Sequence, residues 1–202
     1  MVSREPRLSA GVLVLHPWWG LNDDVRAAGE RLRRDGYEVA TPDLFHGRVA
    51  TTIEQAKALS GEVSKNWQST MTEIEAALEK LQANRVAVLA WSMGVWFSWQ
   101  LAQAHAERIR ALVSYYGYGE IEPGKSLPPI LGHFAENDEF EALEDVRTTE
   151  KALADGGHDA QFHVYPGTKH WFDEPSRPEY DKAASELAWK RTLAFLDTHL
   201  RR

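Results

Sequence analysis

The stretch Val86-Ala-Val-Leu-Ala-Trp-Ser92-Met-Gly94 decides the fold, because it joins a short apolar run to a turn of small residues. The run over residues 86–90 is typical of a strand buried on both faces of a parallel sheet. A helical stretch follows, from Met93 to about Ala106. Small residues stand two positions before and after Ser92, and at a sharp strand-to-helix turn this spacing presents the serine hydroxyl above the sheet. The alternative is an ordinary serine at a helix N-terminus.

The same alternation of apolar runs and amphipathic stretches extends along the whole chain. Ile74, Ala77 and Leu78 lie at the spacing of one helix face, within a helical region over residues 51–83 that Gly61 is predicted to divide. The order of elements predicts an α/β fold with a mainly parallel, doubly wound sheet, in one domain over residues 1–202. The five further strands are predicted at residues 11–15, 37–41, 111–116, 129–134 and 161–165.

The composition narrows the functional classes. The chain has 202 residues, no cysteine, and 30 acidic against 23 basic residues, which gives a net charge of −7. The lack of cysteine excludes disulfides, thiolate metal sites and a cysteine nucleophile. The acidity argues against nucleic acid or anionic lipid as a partner.

Several targeting and cofactor patterns are missing. The N-terminal MVSREPRLSA has no apolar core of a signal peptide, and no apolar run approaches the roughly 20 residues of a membrane span, so we expect a cytoplasmic protein without membrane contact. No HExxH or similar spacing predicts a metal. No G-x-G-x-x-G or P-loop follows a strand, which argues against a nucleotide-binding module and against a cofactor of that kind.

Chemically useful side chains follow the fifth and sixth predicted strands. In parallel sheets such groups gather at the carboxyl ends of the strands. Glu136, Asp138 and Glu139 follow the fifth strand, where an acid either orients a histidine or caps the next helix. His170 follows the sixth strand, on a loop that can reach Ser92 as a general base. The order serine, acid, histidine is the chain order of the α/β-hydrolase triad.

Such a site also needs two backbone N–H donors for an oxyanion. The first predicted donor is Met93, at the start of a helix, where amides are free and the dipole is positive. The second is expected from the loop after the first strand, His16-Pro-Trp-Trp-Gly20. Because Pro17 has no N–H, we predict Trp18 as that donor.

Three segments resemble the dienelactone hydrolase family: residues 11–21 (GVLVLHPWWGL), 37–47 (YEVATPDLFHG) and 165–172 (YPGTKHWF). The resemblance extends from about residue 9 to residue 200. It implies a compact α/β-hydrolase fold with no lid domain, no cofactor, and a monomer or weak homodimer that acts on a small ester or lactone. It also implies that His170 is the catalytic histidine. The family's acid follows a strand glycine at the spacing of Gly132 to Asp138, which favours Asp138 over its two neighbours.

Two departures from the family agree with each other. Typical members carry a cysteine nucleophile where this chain has Ser92, and a glutamate that controls the thiol where this chain has Pro17. A serine passes its proton directly to the histidine and has no use for that glutamate. The sequence therefore indicates a serine-type relative with the triad Ser92, Asp138 and His170. The alternative is a protein of the same fold that binds a small ligand with negligible turnover.

The substrate contacts are less determined. Members of the family hold a substrate carboxylate with arginines, and Arg48 and Lys57 are the candidates here, although each also fits a solvated surface position. Aromatic side chains adjoin all of the proposed catalytic loops and can line the pocket instead. The predicted substrate-binding residues are Trp19, Trp91 and Trp171.

Overall fold

A computed structural model describes residues 10–201. Residues 1–9, which hold most of the N-terminal stretch judged not to be a signal peptide, and Arg202 lie outside the described residues. The strands are β1 (Ala10–Leu15), β2 (Glu38–Ala40), β3 (Arg85–Trp91), β4 (Ile109–Tyr115), β5 (Ile130–Ala135) and β6 (Ala160–Tyr165). The helices are α1 (Asp23–Arg34), α2 (Ile53–Lys65), α3 (Trp67–Lys80), α4 (Met93–Ala104), α5 (Leu143–Asp155) and α6 (Lys182–Leu200).

The six strands form one sheet in the order β2-β1-β3-β4-β5-β6, and every pairing is parallel. This confirms the predicted α/β fold with a parallel, doubly wound sheet. The strand order reverses between β1 and β3, where Leu15 pairs with Ala90. Ligand sites of open α/β sheets lie at such a reversal, outside the carboxyl ends of the strands. The loop after β1 and the turn after β3 therefore meet at the point where a site is expected.

The central strands are buried on both faces, as their continuous apolar runs predict. Helices α1 and α6 share one face of the sheet, because the Arg31 guanidinium of α1 lies 4.1 Å from the ring centroid of Trp189 in α6. The N-terminus of α1 is capped by Asn22, whose side chain accepts a hydrogen bond from the Val25 N–H. Within residues 10–201, no helix is long and apolar enough to cross a membrane.

The prediction that Gly61 divides the helical region is wrong. Gly61 lies inside α2, where a single glycine costs about 1 kcal/mol and is tolerated. The break falls at Asn66, which ends α2 and precedes α3. The Asn66 side chain donates a hydrogen bond to the Glu62 carbonyl over 3.0 Å. Asparagine competes for backbone groups in this way, and this favours helix ends over helix interiors.

Candidate active site

Ser92 stands at the sharp turn between β3 and α4. Its backbone has φ 47° and ψ −117°, which a residue with a side chain rarely adopts and which stores about 1–3 kcal/mol of strain. The turn brings α4 against the end of β1, because a Cβ on Gly94 would lie 2.7 Å from the Leu15 carbonyl oxygen. Only glycine permits this approach. The Ser92 side chain caps no backbone N–H of α4, so the alternative of an ordinary N-cap serine does not describe it.

His170 connects Ser92 to an acid. Its Nε2 lies 3.1 Å from Ser92 Oγ, and its Nδ1 lies 2.7 Å from Oδ2 of Asp138. The side chains of His170 and Asp138 are 5% and 1% exposed, so water does not compete for the bond between them. A carboxylate on Nδ1 fixes the tautomer in which Nδ1 carries the proton and Nε2 accepts one. The structure thus brings the three predicted residues into one hydrogen-bonded chain.

The three candidate acids differ in their contacts. Asp138 holds His170 and also accepts hydrogen bonds from the N–H groups of Phe140 and Glu141 in the loop before α5. It therefore orients the histidine and does not cap that helix, whose N-cap residue is Ala142. Glu136 instead accepts a hydrogen bond from the Gly167 N–H over 2.9 Å. Glu139 is exposed, and no hydrogen bond joins it to the histidine within the described residues.

Within residues 10–201, the backbone N–H groups of the two predicted oxyanion donors bond to no other acceptor. Met93 is the first residue of α4 and has no carbonyl one turn earlier to which its N–H can bond. The Trp18 N–H also donates to no acceptor in the described part of the chain. The loop that carries Trp18 is fixed by His16, whose Nδ1 lies 2.7 Å from the Pro17 carbonyl oxygen and whose Nε2 accepts the Leu44 N–H. Burial lowers the pKa of His16 to about 4, so this histidine stays neutral.

Aromatic rings enclose the histidine. The Trp171 ring lies 5.3 Å from His170 and 6.1 Å from Trp18, measured between centroids. Phe140 lies 4.9 Å from His170 and 5.6 Å from Trp18, and is 48% exposed. Trp19 packs behind these rings and is 2% exposed. The contact of Trp171 with a substrate therefore stays a prediction. Trp19, also predicted to contact the substrate, is buried in the interior and supports these rings instead.

Trp91 requires a correction. It packs in the core, 5.4 Å from the Tyr115 ring, and its indole Nε1 donates a hydrogen bond to Asp173 over 2.9 Å. Residue 91 is the last of β3, where the side chain points into the layer between the sheet and α6 rather than out of the turn. We therefore assign Trp91 a structural role instead of the predicted contact with substrate.

Three residues near the site were not predicted. Phe140 forms part of the aromatic enclosure, and Tyr116, with φ 38°, places its ring 4.7 Å from His170. The Tyr116 hydroxyl donates a hydrogen bond to Glu174, which is buried. Burial raises the pKa of Glu174 to about 8, the hydrogen bond from Tyr116 opposing it. Only their place in the sequence could have indicated these residues. Tyr116 follows β4, Phe140 follows Asp138, and Glu174 follows His170.

The two basic candidates for binding a substrate carboxylate lie at the exposed surface. Arg48 pairs with Glu62 at 2.6 Å on the exposed surface near α2, and Lys57 is exposed on α2 itself. Both thus occupy the solvated positions that were the alternative to carboxylate binding. Within residues 10–201, no three His, Asp or Glu side chains are grouped as ligands for a metal ion.

The sequence model of the dienelactone hydrolase family matches residues 2–200. The chain belongs to the dienelactone hydrolase family. Among curated relatives, the Usf protein of Aquifex pyrophilus is 28% identical over 94% of this chain and 88% of its own length. Carboxymethylenebutenolidase of Rhodococcus opacus is 25% identical over 94% of this chain and 81% of its own length.

Solved structures show the same dienelactone hydrolase fold. A dienelactone hydrolase-like promiscuous phosphotriesterase from metagenomic libraries superposes with a TM-score of 0.80, at 19% identity, over 96% of this chain and 88% of its own. An esterase from Thermogutta terrifontis superposes with a TM-score of 0.62, at 13% identity, over 98% of this chain and 86% of its own. Membership of this family makes the chain a hydrolase of the α/β-hydrolase fold.

Proposed function

We propose that this chain is a serine hydrolase that cleaves a small ester or lactone through an acyl-enzyme. The observation that carries the proposal is the hydrogen-bonded chain from Ser92 Oγ through the imidazole of His170 to Asp138. A serine on a strained strand-to-helix turn, with the imidazole Nε2 of His170 at 3.1 Å, is arranged for nucleophilic attack on a carbonyl. The family relatives support an ester or lactone as the bond that is cleaved, one of them bearing the name carboxymethylenebutenolidase.

The proposed acylation step uses this hydrogen-bonded chain. Ser92 Oγ attacks the carbonyl carbon while its proton passes to Nε2 of His170. Asp138 accepts the Nδ1–H bond and stabilises the imidazolium that forms. The backbone N–H groups of Met93 and Trp18 then donate to the oxyanion of the tetrahedral intermediate, each contributing about 10²–10³ in turnover. Collapse of the intermediate releases the alcohol, which takes the proton from Nε2.

Deacylation repeats the same proton path with water in place of Ser92. His170 removes a proton from water, the hydroxide adds to the acyl carbon, and the second tetrahedral intermediate expels Ser92 Oγ, which is protonated again by the imidazolium. For a lactone the alcohol and the acid remain parts of one product molecule.

The walls of the site favour an uncharged, partly apolar substrate. Trp18, Phe140 and Trp171 surround the imidazole, and Phe140 exposes enough of its ring to touch a bound ester. Aromatic faces contribute large apolar contact areas to a ligand. Arg48, the arginine considered for a substrate carboxylate, is engaged with Glu62 at the surface. We therefore infer a neutral short-chain or aryl ester, or an uncharged lactone.

The proposal is tested by the hydrolysis of p-nitrophenyl acetate, compared between the wild type and Ser92→Ala. We expect turnover to fall by about 10³-fold or more in Ser92→Ala, because the acyl-enzyme cannot form. Ser60→Ala on α2, where the hydroxyl donates a hydrogen bond to the Lys57 carbonyl, is the matched control and keeps full activity. Equal turnover in the wild type and Ser92→Ala contradicts the proposal. Binding of the ester without turnover in the wild type supports the ligand-binding alternative instead.

A further inference from the structure

The aromatic neighbours of the His170 imidazole differ in their exposure. Tyr116 lies 4.7 Å from the imidazole and Trp171 lies 5.3 Å from it, measured between ring centroids, and both residues are buried. Phe140 lies 4.9 Å from the imidazole and is 48% exposed. Of these three rings, Phe140 is therefore the one that a molecule arriving from solvent can contact over a large area.

The Phe140 ring also joins the loops that surround the proposed reaction centre. Phe140 belongs to the loop after β5, which carries Asp138. Its ring lies 5.6 Å from Trp18 in the loop after β1 and 5.3 Å from Trp171 in the loop after β6. Trp18 carries the second proposed oxyanion donor, and His170 is the proposed base. A carbonyl group that meets both of these residues therefore lies next to the Phe140 ring.

The chemistry of the reaction decides which half of an ester faces this ring. In the tetrahedral intermediate, the central carbon is bonded to Ser92 Oγ, and its oxyanion accepts the N–H groups of Met93 and Trp18. The leaving oxygen takes its proton from Nε2 of His170 and must lie about 2.6–3.2 Å from that nitrogen. The acyl chain is the fourth substituent and points away from the histidine. The alcohol half is therefore the half that lies beside the imidazole and Phe140.

We propose that Phe140 is a specificity-determining residue for the alcohol half of the ester, and that this half is a flat apolar group of the benzyl or aryl type. The proposal rests on the proposed hydrolase function and adds which half of the substrate the aromatic wall selects. A flat ring packs edge-to-face or offset on the Phe140 ring. The contact removes apolar surface of both rings from water, which favours binding.

The test compares three esters whose acid product is followed by titration at constant pH. Benzyl acetate differs from methyl acetate only in the alcohol half, and methyl hexanoate differs from methyl acetate only in the acyl half. The alcohol ratio is kcat/KM for benzyl acetate divided by that for methyl acetate. The acyl ratio is kcat/KM for methyl hexanoate divided by that for methyl acetate. Neither ratio depends on the fraction of the protein that is folded, so a partly unfolded variant still gives a valid result.

We expect the wild type to have an alcohol ratio above one. In Phe140→Ala the alcohol ratio should fall by about tenfold, because the ring contact is lost. The acyl ratio should stay within about twofold of the wild-type value. The substitution keeps the backbone N–H of residue 140, which bonds to Asp138, so the acid of the proposed triad retains this contact.

Two further variants separate the ring from other effects of the substitution. Phe140→Tyr keeps an aromatic ring and should keep the alcohol ratio of the wild type. Leu187→Ala on α6, where the side chain is 44% exposed, is the control for loss of an exposed apolar side chain and should change neither ratio.

The alternative outcomes are distinct from one another. A fall in the acyl ratio of Phe140→Ala with an unchanged alcohol ratio would place the acyl half at Phe140 and overturn the proposal. Two unchanged ratios, including an equal slowing with all three esters, would also overturn it, because the ring would then only support His170. A wild type that hydrolyses none of the three esters contradicts the proposed function, and this inference falls with it.

Discussion

The indole Nε1 of Trp91 donates a hydrogen bond to Oδ2 of Asp173 over 2.9 Å, and this bond joins the two loops that carry the proposed nucleophile and base. Trp91 is the residue before Ser92, and Asp173 lies three residues after His170. The other oxygen of Asp173 accepts the Ser185 hydroxyl of α6 over 2.6 Å. One partly buried carboxyl group therefore ties the turn after β3 and the loop after β6 to the same helix.

Trp91→Phe is predicted to weaken both the fold and the site. The phenyl ring can still stack on Tyr115, but Asp173 Oδ2 loses its donor and remains partly buried. We expect the free energy of unfolding to fall by about 1–3 kcal/mol, measured by urea denaturation, and kcat to fall because the His170 loop is less restrained. Trp96→Phe on α4, where the side chain is 42% exposed, is the matched control. If both variants behave alike, the bond between Trp91 and Asp173 has no special role.

Asp138→Asn is predicted to keep the fold and lose most turnover, by up to about 10⁴-fold, the loss known for the equivalent change in a serine protease. The amide can donate to Nδ1 of His170 and so favours the tautomer that protonates Nε2. Glu139→Gln, one residue further along an exposed loop, is the control and should leave kcat/KM unchanged. Circular dichroism shows whether both variants are folded. A large loss in Glu139→Gln together with an active Asp138→Asn would transfer the orienting role to the neighbouring acid.

The chain departs from its family at both Pro17 and Ser92, so substitutions at these two positions are predicted to have coupled effects on esterase activity. Pro17→Glu alone should leave esterase activity equal or lower, because a new carboxylate near the oxyanion donors opposes the developing negative charge. In a Ser92→Cys background the same glutamate meets a thiol that can ionise, so its effect should differ.

The measurement is a double-mutant cycle on kcat/KM with one aryl ester. We expect the double variant to deviate from the sum of the single effects by more than the roughly 0.5 kcal/mol seen for independent sites. Additivity would mean that residue 17 does not communicate with the nucleophile.

Glu174 predicts a dependence of stability on pH. Burial raises its pKa to about 8, above the usual value of a glutamate, so the folded protein keeps a proton that the unfolded chain has lost. Stability from this group is therefore greatest below the unfolded pKa and falls as the pH rises toward 8, by up to about 1.4 kcal/mol per pH unit. Urea denaturation at pH 6 and 7.5 should show a smaller decrease in Glu174→Gln than in the wild type. An equal decrease in the free energy of unfolding in both proteins would show that Glu174 does not titrate between pH 6 and 7.5.

The fold could be predicted from the sequence because its strands appear there as short apolar runs. Two-sided apolar runs such as those of β1 and β3 are typical of a sheet covered on both faces, and the observed bounds differ from the predicted ones by one or two residues. Asn22 directly precedes α1 and accepts the Val25 N–H, as is typical of asparagine at a helix N-cap. The exception is the break at Asn66, since the hydrogen bond of its side chain is not visible in the spacing of apolar residues.

Part of the candidate site could likewise be predicted from the sequence, and part could not. Ser92, Asp138 and His170 follow separate strands, and a parallel sheet brings all strand ends to one edge, so their meeting could be predicted. The residues that surround these three could not be predicted. Asp173 and Glu174 are acids, a type that is rarely buried, and only the packing of their loop against α1 and α6 encloses them. Phe140 reaches His170 because Asp138 turns the loop by accepting its N–H.

Covalent labelling of the serine tests the central claim most directly. The protein is treated with a fluorophosphonate, and the adduct is located by mass spectrometry of its peptides. We predict one phosphonyl group, on Ser92, because it combines a strained turn with an imidazole at 3.1 Å. Asp138→Asn should slow the labelling, and Ser60→Ala should not change it. Labelling of another residue, or no labelling of folded protein, would contradict the assignment of Ser92 as the nucleophile.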